Sequence, residues 1–254
     1  MSEHDIFDLT GKTALVTGAS QGLGARFAEV LADRGAAVAV AARQIDKLEA
    51  LKRRIEESGG RAHAVALDVT ETDAVERALA EVEGTLGPID ILVNNAGIAI
   101  SAGFLDQTAA DWDKVIGTNL RGAFLVAQAA AKRMAERGRG SIVNIESVLG
   151  YTTMKGVAPY AVSKAGLGQM TRSMAVELAR FGVRVNGIAP GYIETDINRD
   201  FFATEAGKKL EKSIPFRRIG QPEELDGALL LLASDAGSYM SGSTLFVDGG
   251  FMVR

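Results

Sequence analysis

The sequence predicts an α/β fold: one domain with a seven-stranded parallel sheet and helices on both of its faces. Seven short apolar runs alternate with segments in which apolar residues recur at helical spacing, which is the pattern of strand–helix–strand units. The run at 36–42 has no polar alternation, which indicates a strand covered on both sides. Because the 254 residues contain no linker rich in Pro, Gly or Ser, a single domain is expected over 1–254.

The predicted elements follow one another in a regular order. Leu23, Phe27 and Leu31 recur at helical spacing and define the first helix, with Gly35 at the position of a C-terminal cap. Pro159 is a favoured first residue for the helix that follows the fifth strand. The predicted strands are 13–17, 36–42, 62–67, 89–93, 141–145, 183–188 and 244–247. The predicted helices are 23–34, 46–58, 73–85, 111–137, 160–180 and 222–233.

One long segment, 191–218, has no clear periodicity. Connections of this length in compact domains are usually functional lids or disordered. We therefore predict a substrate lid there, with a short helix around 204–212.

Composition excludes several classes of protein. The chain has no Cys, which removes disulfide scaffolds, thiolate metal sites and thiol nucleophiles, and its two His lie outside acidic clusters, so no metal is expected. Its 28 basic and 32 acidic residues give a net charge of −4, which argues against a nucleic-acid partner. The first ten residues are polar, and no apolar run approaches the ~20 residues of a membrane span, so we expect a cytoplasmic protein without a membrane partner.

A glycine-rich turn at 17–24 separates the first strand from the first helix. Its spacing is G-x-x-x-G-x-G without a following Lys-Ser/Thr, so a P-loop is not indicated. In an α/β sheet, such a turn brings a pyrophosphate to a helix N-terminus, and glycine lets the phosphate approach the backbone. A tight turn that needs glycine only for packing is the alternative. The residues predicted to bind a dinucleotide here are Gly18, Ser20, Gln21, Gly22, Leu23 and Gly24.

The end of the second strand bears on the choice of cofactor. Dinucleotide sites often place an acid there for the ribose of NAD, whereas an arginine accommodates the 2′-phosphate of NADP. This strand ends in Ala42 and Arg43, and the nearest acid, Asp46, suits the cap of the next helix. We therefore expect NADP(H) to be favoured over NAD(H), with a solvated loop charge as the alternative interpretation of Arg43.

Further motifs follow the glycine turn in a recognisable order. They are Asp68-Val69, Asn94-Asn95-Ala96-Gly97, Asn119, Ser147, Tyr160-x-x-x-Lys164 and Pro190-Gly191. On these residues the chain resembles the short-chain dehydrogenase/reductase family over essentially its full length. The resemblance implies a Rossmann-type fold, a homotetramer, and an NAD(P)-dependent oxidoreductase that transfers hydride between the nicotinamide and a ketone or secondary alcohol. It also implies further cofactor contacts from Asp68, Val69, Asn95, Ala96, Gly97, Tyr160, Lys164, Pro190, Gly191, Ile193 and Thr195.

The Tyr-x-x-x-Lys spacing occurs twice, at 151–155 and at 160–164. This spacing brings both side chains to one face only within a helix. Tyr160 follows Pro159 and leads into a helical pattern, whereas Tyr151 is followed by two Thr and then Lys155-Gly156, which is typical of a loop. Tyr160 and Lys164 are therefore predicted as the active pair.

Side-chain chemistry suggests a role for each catalytic candidate. Tyr160 would donate a proton to the developing alkoxide, and the Lys164 ammonium would favour its phenolate form. Ser147 would donate a hydrogen bond to the substrate oxygen. By the resemblance, Asn119 would position a water that relays protons from Lys164 to solvent.

The substrate is defined less closely. Ser147, Leu149, Tyr151, Tyr160 and Tyr192 are predicted to bind it, and their apolar and aromatic character favours a ketone or alcohol with a hydrophobic flank. A 3-oxoacyl-carrier-protein reductase and a polyol or sugar-acid dehydrogenase stay open as alternatives. A function of another class, a non-catalytic dinucleotide sensor, would need the glycine turn but not the four catalytic candidates.

Overall fold

A seven-stranded sheet in the order β3-β2-β1-β4-β5-β6-β7 forms the centre of the protein, and every neighbouring pair is parallel. The structure is a computed structural model that describes residues 5–195 and 198–253. The strands are β1 (Thr13–Thr17), β2 (Ala37–Ala42), β3 (Arg61–Ala66), β4 (Ile89–Asn94), β5 (Gly140–Ile145), β6 (Val183–Pro190) and β7 (Thr244–Val247). The helices are α1 (Gly22–Asp33), α2 (Ile45–Glu57), α3 (Thr72–Leu86), α4 (Ala109–Ile116), α5 (Ala123–Arg137), α6 (Ala158–Leu178), α7 (Arg199–Ala203), α8 (Glu205–Ser213) and α9 (Asp226–Ala233). The predicted α/β class with seven parallel strands is confirmed.

Helices cover both faces of the sheet, as predicted. One apolar cluster joins the sheet to α1, α2 and α9, and a second joins it to α3, α5 and α6. The adjacent strand residues Leu15 and Val16 belong to different clusters, because successive side chains point to opposite faces of a strand. Both faces are therefore apolar, which explains why the strands show no polar alternation. Among the described residues, no helix is long and apolar enough to cross a membrane.

The long helix predicted over 111–137 is interrupted. Helix α4 ends at Ile116, a π-helical turn occupies Gly117–Gly122, and α5 follows. Gly122 passes close to the segment after β3, where an added methyl group would lie 2.7 Å from Cγ2 of Val69. The wider turn places Asn119 in a fully buried position. Such turns are frequent at functional sites.

The segment 191–218 contains α7 and α8, whereas a single short helix was predicted around 204–212. Thr204 separates the two helices, because its hydroxyl oxygen accepts a hydrogen bond from the Gly207 amide and caps α8. A backbone pairing of Ile193 with Gly220 joins the two ends of the segment. Residues 196 and 197 of the predicted lid lie outside the described residues.

A crevice opens where β1 and β4 lie side by side, since the chain turns to opposite sides of the sheet from these two strands. The loops that follow them are tied together. The Thr17 hydroxyl accepts hydrogen bonds from the backbone amides of Asn95 and Ala96, at 3.0 and 3.1 Å. The Asn95 side chain in turn donates to the carbonyl oxygen of Thr17 at 2.9 Å. The glycine turn is therefore held in a fixed place beside the end of β4.

Candidate active site

Three of the predicted catalytic residues meet where β5 ends beside the first turns of α6. Ser147 follows β5, and Tyr160 and Lys164 lie one turn apart on α6, which begins with Pro159 in its first turn. Ser147 is hydrogen-bonded to Tyr160 through its side chain. Lys164 is 4% exposed, and its ammonium donates to the carbonyl oxygen of Ile145 at 2.6 Å and lies 5.7 Å from the centre of the Tyr160 ring.

Asn119 reaches the same place from the π-helical turn. Its Oδ1 accepts a hydrogen bond from the amide of Ile98, and its Nδ2 donates to the Ile98 carbonyl, both at 2.8 Å. Nδ2 also donates to the hydroxyl of Ser163 at 3.1 Å. A methyl group added at Gly97 would lie 3.4 Å from Oδ1 of Asn119 and 3.7 Å from Nζ of Lys164. Gly97, after β4, thus lies beside Asn119 and Lys164, and Lys164 in turn lies beside Tyr160 at the end of β5.

Burial sets the pKa of the two titratable members of this group. It lowers the pKa of Lys164 to about 8, and the nearby charge of Glu146 opposes the shift. Burial also raises the pKa of Tyr160 above its ordinary value, opposed by the hydrogen bond from Ser147. Among the protein's own groups, burial therefore outweighs the effect expected from the Lys164 ammonium. Tyr160 keeps its proton at neutral pH, and a phenol is the form that donates during carbonyl reduction.

The glycine turn is packed too tightly for other side chains. Gly18 has a φ of +65°, and an added methyl group there would lie 2.8 Å from Cα of Ala96. A methyl group at Gly24 would collide with the Gly18 carbonyl oxygen. Asn95 supports the turn by donating to the same carbonyl oxygen at 3.2 Å. Packing thus explains why positions 18 and 24 are glycines. Because glycine has no side chain, none covers the backbone at these positions toward the crevice.

The N-terminus of α1 opens toward the crevice. Gln21 precedes the helix and makes no side-chain hydrogen bond to its first amides. At Gly22, where φ is +57°, the atom nearest to an added methyl group would be 3.7 Å away. Ser20 is half-buried in the turn, whereas Leu23 packs against the apolar core. Uncapped amides at the positive end of a helix suit a phosphate, so these residues fit the pyrophosphate of a dinucleotide.

Charged residues lie where β2 and β3 end, beside the crevice. Arg43 is exposed at the end of β2. Asp68, after β3, accepts hydrogen bonds from the amide and hydroxyl of Thr70 at 3.0 and 2.8 Å. These bonds and the charge of Arg43 lower the pKa of Asp68. Lys47, in the first turn of α2, donates to Oε1 of Gln21 at 2.9 Å and so places a second cation beside the glycine turn.

The root of the 191–218 segment lies on the other side of the crevice. Pro190 ends β6, and an added methyl group at Gly191 would lie 2.7 Å from Cα of Asp248. Ile193 is buried against the core. Cγ2 of Thr195 lies 3.7 Å from the position of a methyl group at Gly22. Thr195 therefore reaches the glycine turn, as a contact to the cofactor would require.

The predicted substrate residues divide into two groups. Leu149 is 8% exposed and belongs to an apolar cluster with Ile214, and Tyr160 and Tyr192 pack against this cluster. Tyr151 instead turns its hydroxyl into the protein. Its ring packs edge-on against Phe246 of β7, with centroids 4.9 Å apart. The residues beside Tyr160 thus form an apolar wall, and the Tyr151 hydroxyl is already engaged within the chain.

Comparison with known proteins identifies the family. A family model described as enoyl-(acyl-carrier-protein) reductase matches residues 18–252. The chain belongs to the short-chain dehydrogenase/reductase family. It is accordingly an oxidoreductase of the dehydrogenase/reductase type that acts on CH–OH groups.

Family members of equal similarity to this chain bear different names. It is 42% identical to a gluconate 5-dehydrogenase of Gluconobacter oxydans over 254 residues, which cover 100% of this chain and 99% of the relative. It is also 42% identical to a 3β-hydroxysteroid dehydrogenase of Eggerthella lenta, over 96% of this chain and 94% of the relative. Among solved structures, a gluconate 5-dehydrogenase from Burkholderia cenocepacia in complex with NADP and tartrate is 42% identical, with a TM-score of 0.95 and 98% of each chain covered.

Three polar residues of this site were not found by sequence reasoning. Lys47 lies in the first turn of the helix that follows Arg43, and no local pattern marks its contact with Gln21. Glu146 is an acid at the end of an apolar strand, directly before Ser147. The hydroxyl of Thr17 is recognisable only once β1 and β4 are known to be neighbours. Within the described ranges, no group of three or more acidic or His residues could hold a metal ion.

Proposed function

We propose that this protein is an NADP(H)-preferring enzyme that reversibly transfers a hydride between the nicotinamide and a ketone or secondary alcohol, with Tyr160 as the acid–base group. The observation that carries the proposal is the convergence of Ser147, Tyr160, Lys164 and Asn119 beside Gly97. When bound in the crevice, the nicotinamide ring supplies or accepts the hydride. A non-catalytic dinucleotide sensor would have no use for this convergence.

Each catalytic side chain has a part in moving the proton. In the direction of reduction, Tyr160 gives its phenolic proton to the developing alkoxide while Ser147 donates a hydrogen bond to the same oxygen. Lys164 uses one N–H on the carbonyl of Ile145 and keeps two donors for the ribose hydroxyls and for the return of the proton. Asn119, bonded to the backbone after β4, fixes the loop beside Lys164 and positions a water for the relay to solvent.

Two cations support the preference for NADP(H). The exposed guanidinium of Arg43 and the ammonium of Lys47, held on Gln21, flank the adenosine end of the crevice, where a 2′-phosphate would lie. The Burkholderia relative is described in complex with NADP. We expect Arg43→Ala to reduce kcat/KM for NADPH about tenfold, the loss of one charge-assisted hydrogen bond, and to leave NADH nearly unchanged.

The measurement is the ratio of kcat/KM for NADPH and NADH on one ketone. Lys52→Ala is the matched control. Lys52 is a cation on α2, the helix that follows Arg43, and it pairs with Glu49 and Glu56. Ala42→Asp should move the preference toward NADH, since an acid at this strand end suits the NAD ribose. A wild-type preference for NADH would contradict the proposal.

The walls beside Tyr160 support a substrate with an apolar flank. Leu149 and Tyr192 belong to the apolar cluster there, and segment 97–105, which follows β4, contains no charged residue. A neutral ketone suits such a surface better than a carboxylate, which needs a cation or several donors. The sugar-acid dehydrogenase is the second candidate, and the names of the Gluconobacter and Burkholderia relatives favour it. The name of the Eggerthella relative favours the apolar class.

A substrate panel tests the proposal. Neutral cyclic and aryl ketones, 5-keto-D-gluconate and a 3-oxoacyl thioester are each offered with NADPH, and oxidation of the cofactor is followed by absorbance. We expect a neutral ketone to exceed 5-keto-D-gluconate in kcat/KM by about tenfold or more, the cost of leaving a carboxylate without a partner. The reverse order would establish the sugar acid as the substrate class. Turnover of none of these carbonyls would overturn the proposed function.

Assembly and location complete the proposal. Phe124, Val162 and Val176 are exposed apolar side chains on α5 and α6, with exposed fractions of 44%, 47% and 81%. They support a homotetramer in which these helices meet their counterparts. Light scattering coupled to size-exclusion chromatography gives the mass that checks it. The cytoplasmic location and the lid function of 191–218 stay predictions.

A further inference from the structure

A buried carboxylate with no part in the mechanism above lies directly before Ser147. Glu146 is 1% exposed. Its Oε2 accepts hydrogen bonds from the hydroxyls of Tyr151 at 2.6 Å and Thr244 at 3.1 Å, and its Oε1 accepts from the hydroxyl of Thr171 at 2.8 Å. The three donors come from the turn after β5, from β7 and from α6. Hydroxyl groups at both oxygens offset the unfavourable burial of a carboxylate in the interior.

Two glycines make room for this group. A methyl group added at Gly187 of β6 would collide with the carboxylate of Glu146. One added at Gly168 of α6 would lie 2.6 Å from the hydroxyl oxygen of Tyr151 and 3.3 Å from Oε2 of Glu146. The carboxylate therefore occupies a space that the neighbouring strand and helix leave for it, and its position is fixed from every side.

The same carboxylate lies against α6 at Gly168, one helical turn after Lys164. Lys164 donates to the carbonyl oxygen of Ile145, and that carbonyl belongs to the peptide that leads into Glu146. The charge of Glu146 acts on Lys164 and opposes the effect of burial on its pKa. Because Lys164 is buried, water stabilises its ammonium little and a nearby negative charge matters more.

The other titratable groups around the carboxylate are few. Tyr160 and Arg172 face this region from α6, and the side chain of Arg172 is hydrogen-bonded to Tyr151. β6 and β7 present Gly187 and Thr244 to it, which carry no charge. Arg172 is exposed and is also bonded to Gln169, so its charge is screened by solvent.

We propose that Glu146 is a positioning residue for the catalytic pair. Its carboxylate, held by the hydroxyls of Tyr151, Thr171 and Thr244, keeps Lys164 charged beside Tyr160 during turnover. The proposal rests on the proposed function, because it assigns Glu146 to the same reaction. Glu146 does not touch the substrate, and it acts through the ammonium. Its removal should therefore change the pH dependence of kcat before it changes KM.

The decisive variant is Glu146→Gln, which keeps the shape and one of the two acceptor oxygens but removes the charge. Without that charge the pKa of Lys164 falls further below its ordinary value, so the ammonium is lost at a lower pH. We expect the alkaline limb of kcat for ketone reduction to move to lower pH by about half a unit or more, with KM changed less than about twofold. The profile is measured from pH 6 to 10 together with the melting temperature.

Thr244→Val is the matched control, since it removes one hydroxyl donor and leaves the charge in place. We expect it to lower the melting temperature and to keep the wild-type pH profile. An unmoved profile in folded Glu146→Gln would overturn the proposal. An equal shift in both variants would also overturn it, because the cluster would then act only by holding the strands together.

Glu146→Asp serves if Glu146→Gln does not fold, because it keeps the charge and weakens the contacts. A lowered melting temperature with an unmoved alkaline limb supports the proposal, and a limb that moves with the melting temperature contradicts it. Failure of the proposed function is recognised separately, by a Tyr160→Phe enzyme that keeps wild-type turnover. If Tyr160→Phe is inactive and Glu146→Gln has the wild-type profile, only the role of Glu146 is wrong.

Discussion

The two Tyr-x-x-x-Lys segments have the same spacing and very different surroundings. At 160–164 the spacing falls within α6, and Lys164 lies buried 5.7 Å from the centre of the Tyr160 ring. At 151–155 the chain forms a turn, the Tyr151 hydroxyl donates to Glu146, and Lys155 is exposed. A spacing of four residues therefore pairs two side chains only where the backbone is helical. The same residue type serves once in the proposed chemistry and once in holding strands together.

The largest difference in kcat is expected between two variants in which Tyr160 or Tyr151 is replaced by phenylalanine. Tyr160→Phe removes the proposed proton donor, so kcat should fall by about 100- to 10,000-fold. Tyr151→Phe removes one donor from the buried carboxylate, so it should lower the free energy of unfolding by about 1–3 kcal/mol and reduce kcat far less. Steady-state kinetics and urea unfolding of both variants make the comparison. Equal losses of kcat would mean that the two tyrosines share the chemistry.

A smaller contrast is expected between the two lysines. Lys164→Met should reduce kcat about 100-fold, because a buried charge beside the reacting oxygen is lost, whereas Lys155→Met should stay within about twofold of wild type. Burial lowers the pKa of Lys164 to about 8, so ketone reduction by the wild type should decline as the pH rises through that value. A pH–rate profile that is flat from 7 to 10 would contradict this role for Lys164.

The smallest effect, on stability alone, is expected at Gly168 of α6, which lies against the Tyr151 hydroxyl. Gly168→Ala would press a methyl group to 2.6 Å from the Tyr151 hydroxyl oxygen, so overpacking should lower the free energy of unfolding by about 1–3 kcal/mol. Gly227→Ala is the matched control on α9, where no atom lies within 4 Å of the added group. It should raise stability by up to about 1 kcal/mol through helix propensity. Denaturant midpoints decide between the two, and a stabilised Gly168→Ala would show that Tyr151 has room to move.

Local information in the sequence was enough for the sheet and for deciding which of the two Tyr-x-x-x-Lys segments is helical. Each strand was predicted to within about two residues, as for 36–42 against Ala37–Ala42, because a buried strand is a short apolar run. The choice of Tyr160 over Tyr151 rested on Pro159 and on the helical pattern after it. Both signals lie within a few residues of the element that they define.

Other features depend on contacts between distant residues or on fine geometry. The apolar spacing over 111–137 does not distinguish a π turn from an α turn, so the interruption at Gly117–Gly122 was not predicted. The hydrogen bond between Glu146 and Thr244 joins residues 98 apart in sequence. No local pattern marks such a pair. For the same reason, Tyr151 was predicted to line the substrate pocket, and its hydrogen bond to the Glu146 carboxylate was not predicted.

The backbone pairing at Gly220 has a consequence for how the protein can evolve. The amide of Glu194 donates to the Gly220 carbonyl at 2.8 Å, and the Gly220 amide donates to the Tyr192 carbonyl at 2.9 Å, so the intervening loop is closed at its base. The entropic cost of closing a loop grows slowly with its length. Insertions or exchanges within 198–213 would therefore add little loop-closure entropy, as long as Thr195 and Ile214 keep their contacts with the glycine turn and with the apolar cluster beside Tyr160. The sequence of this loop can vary among relatives while the closed base keeps its ends in place.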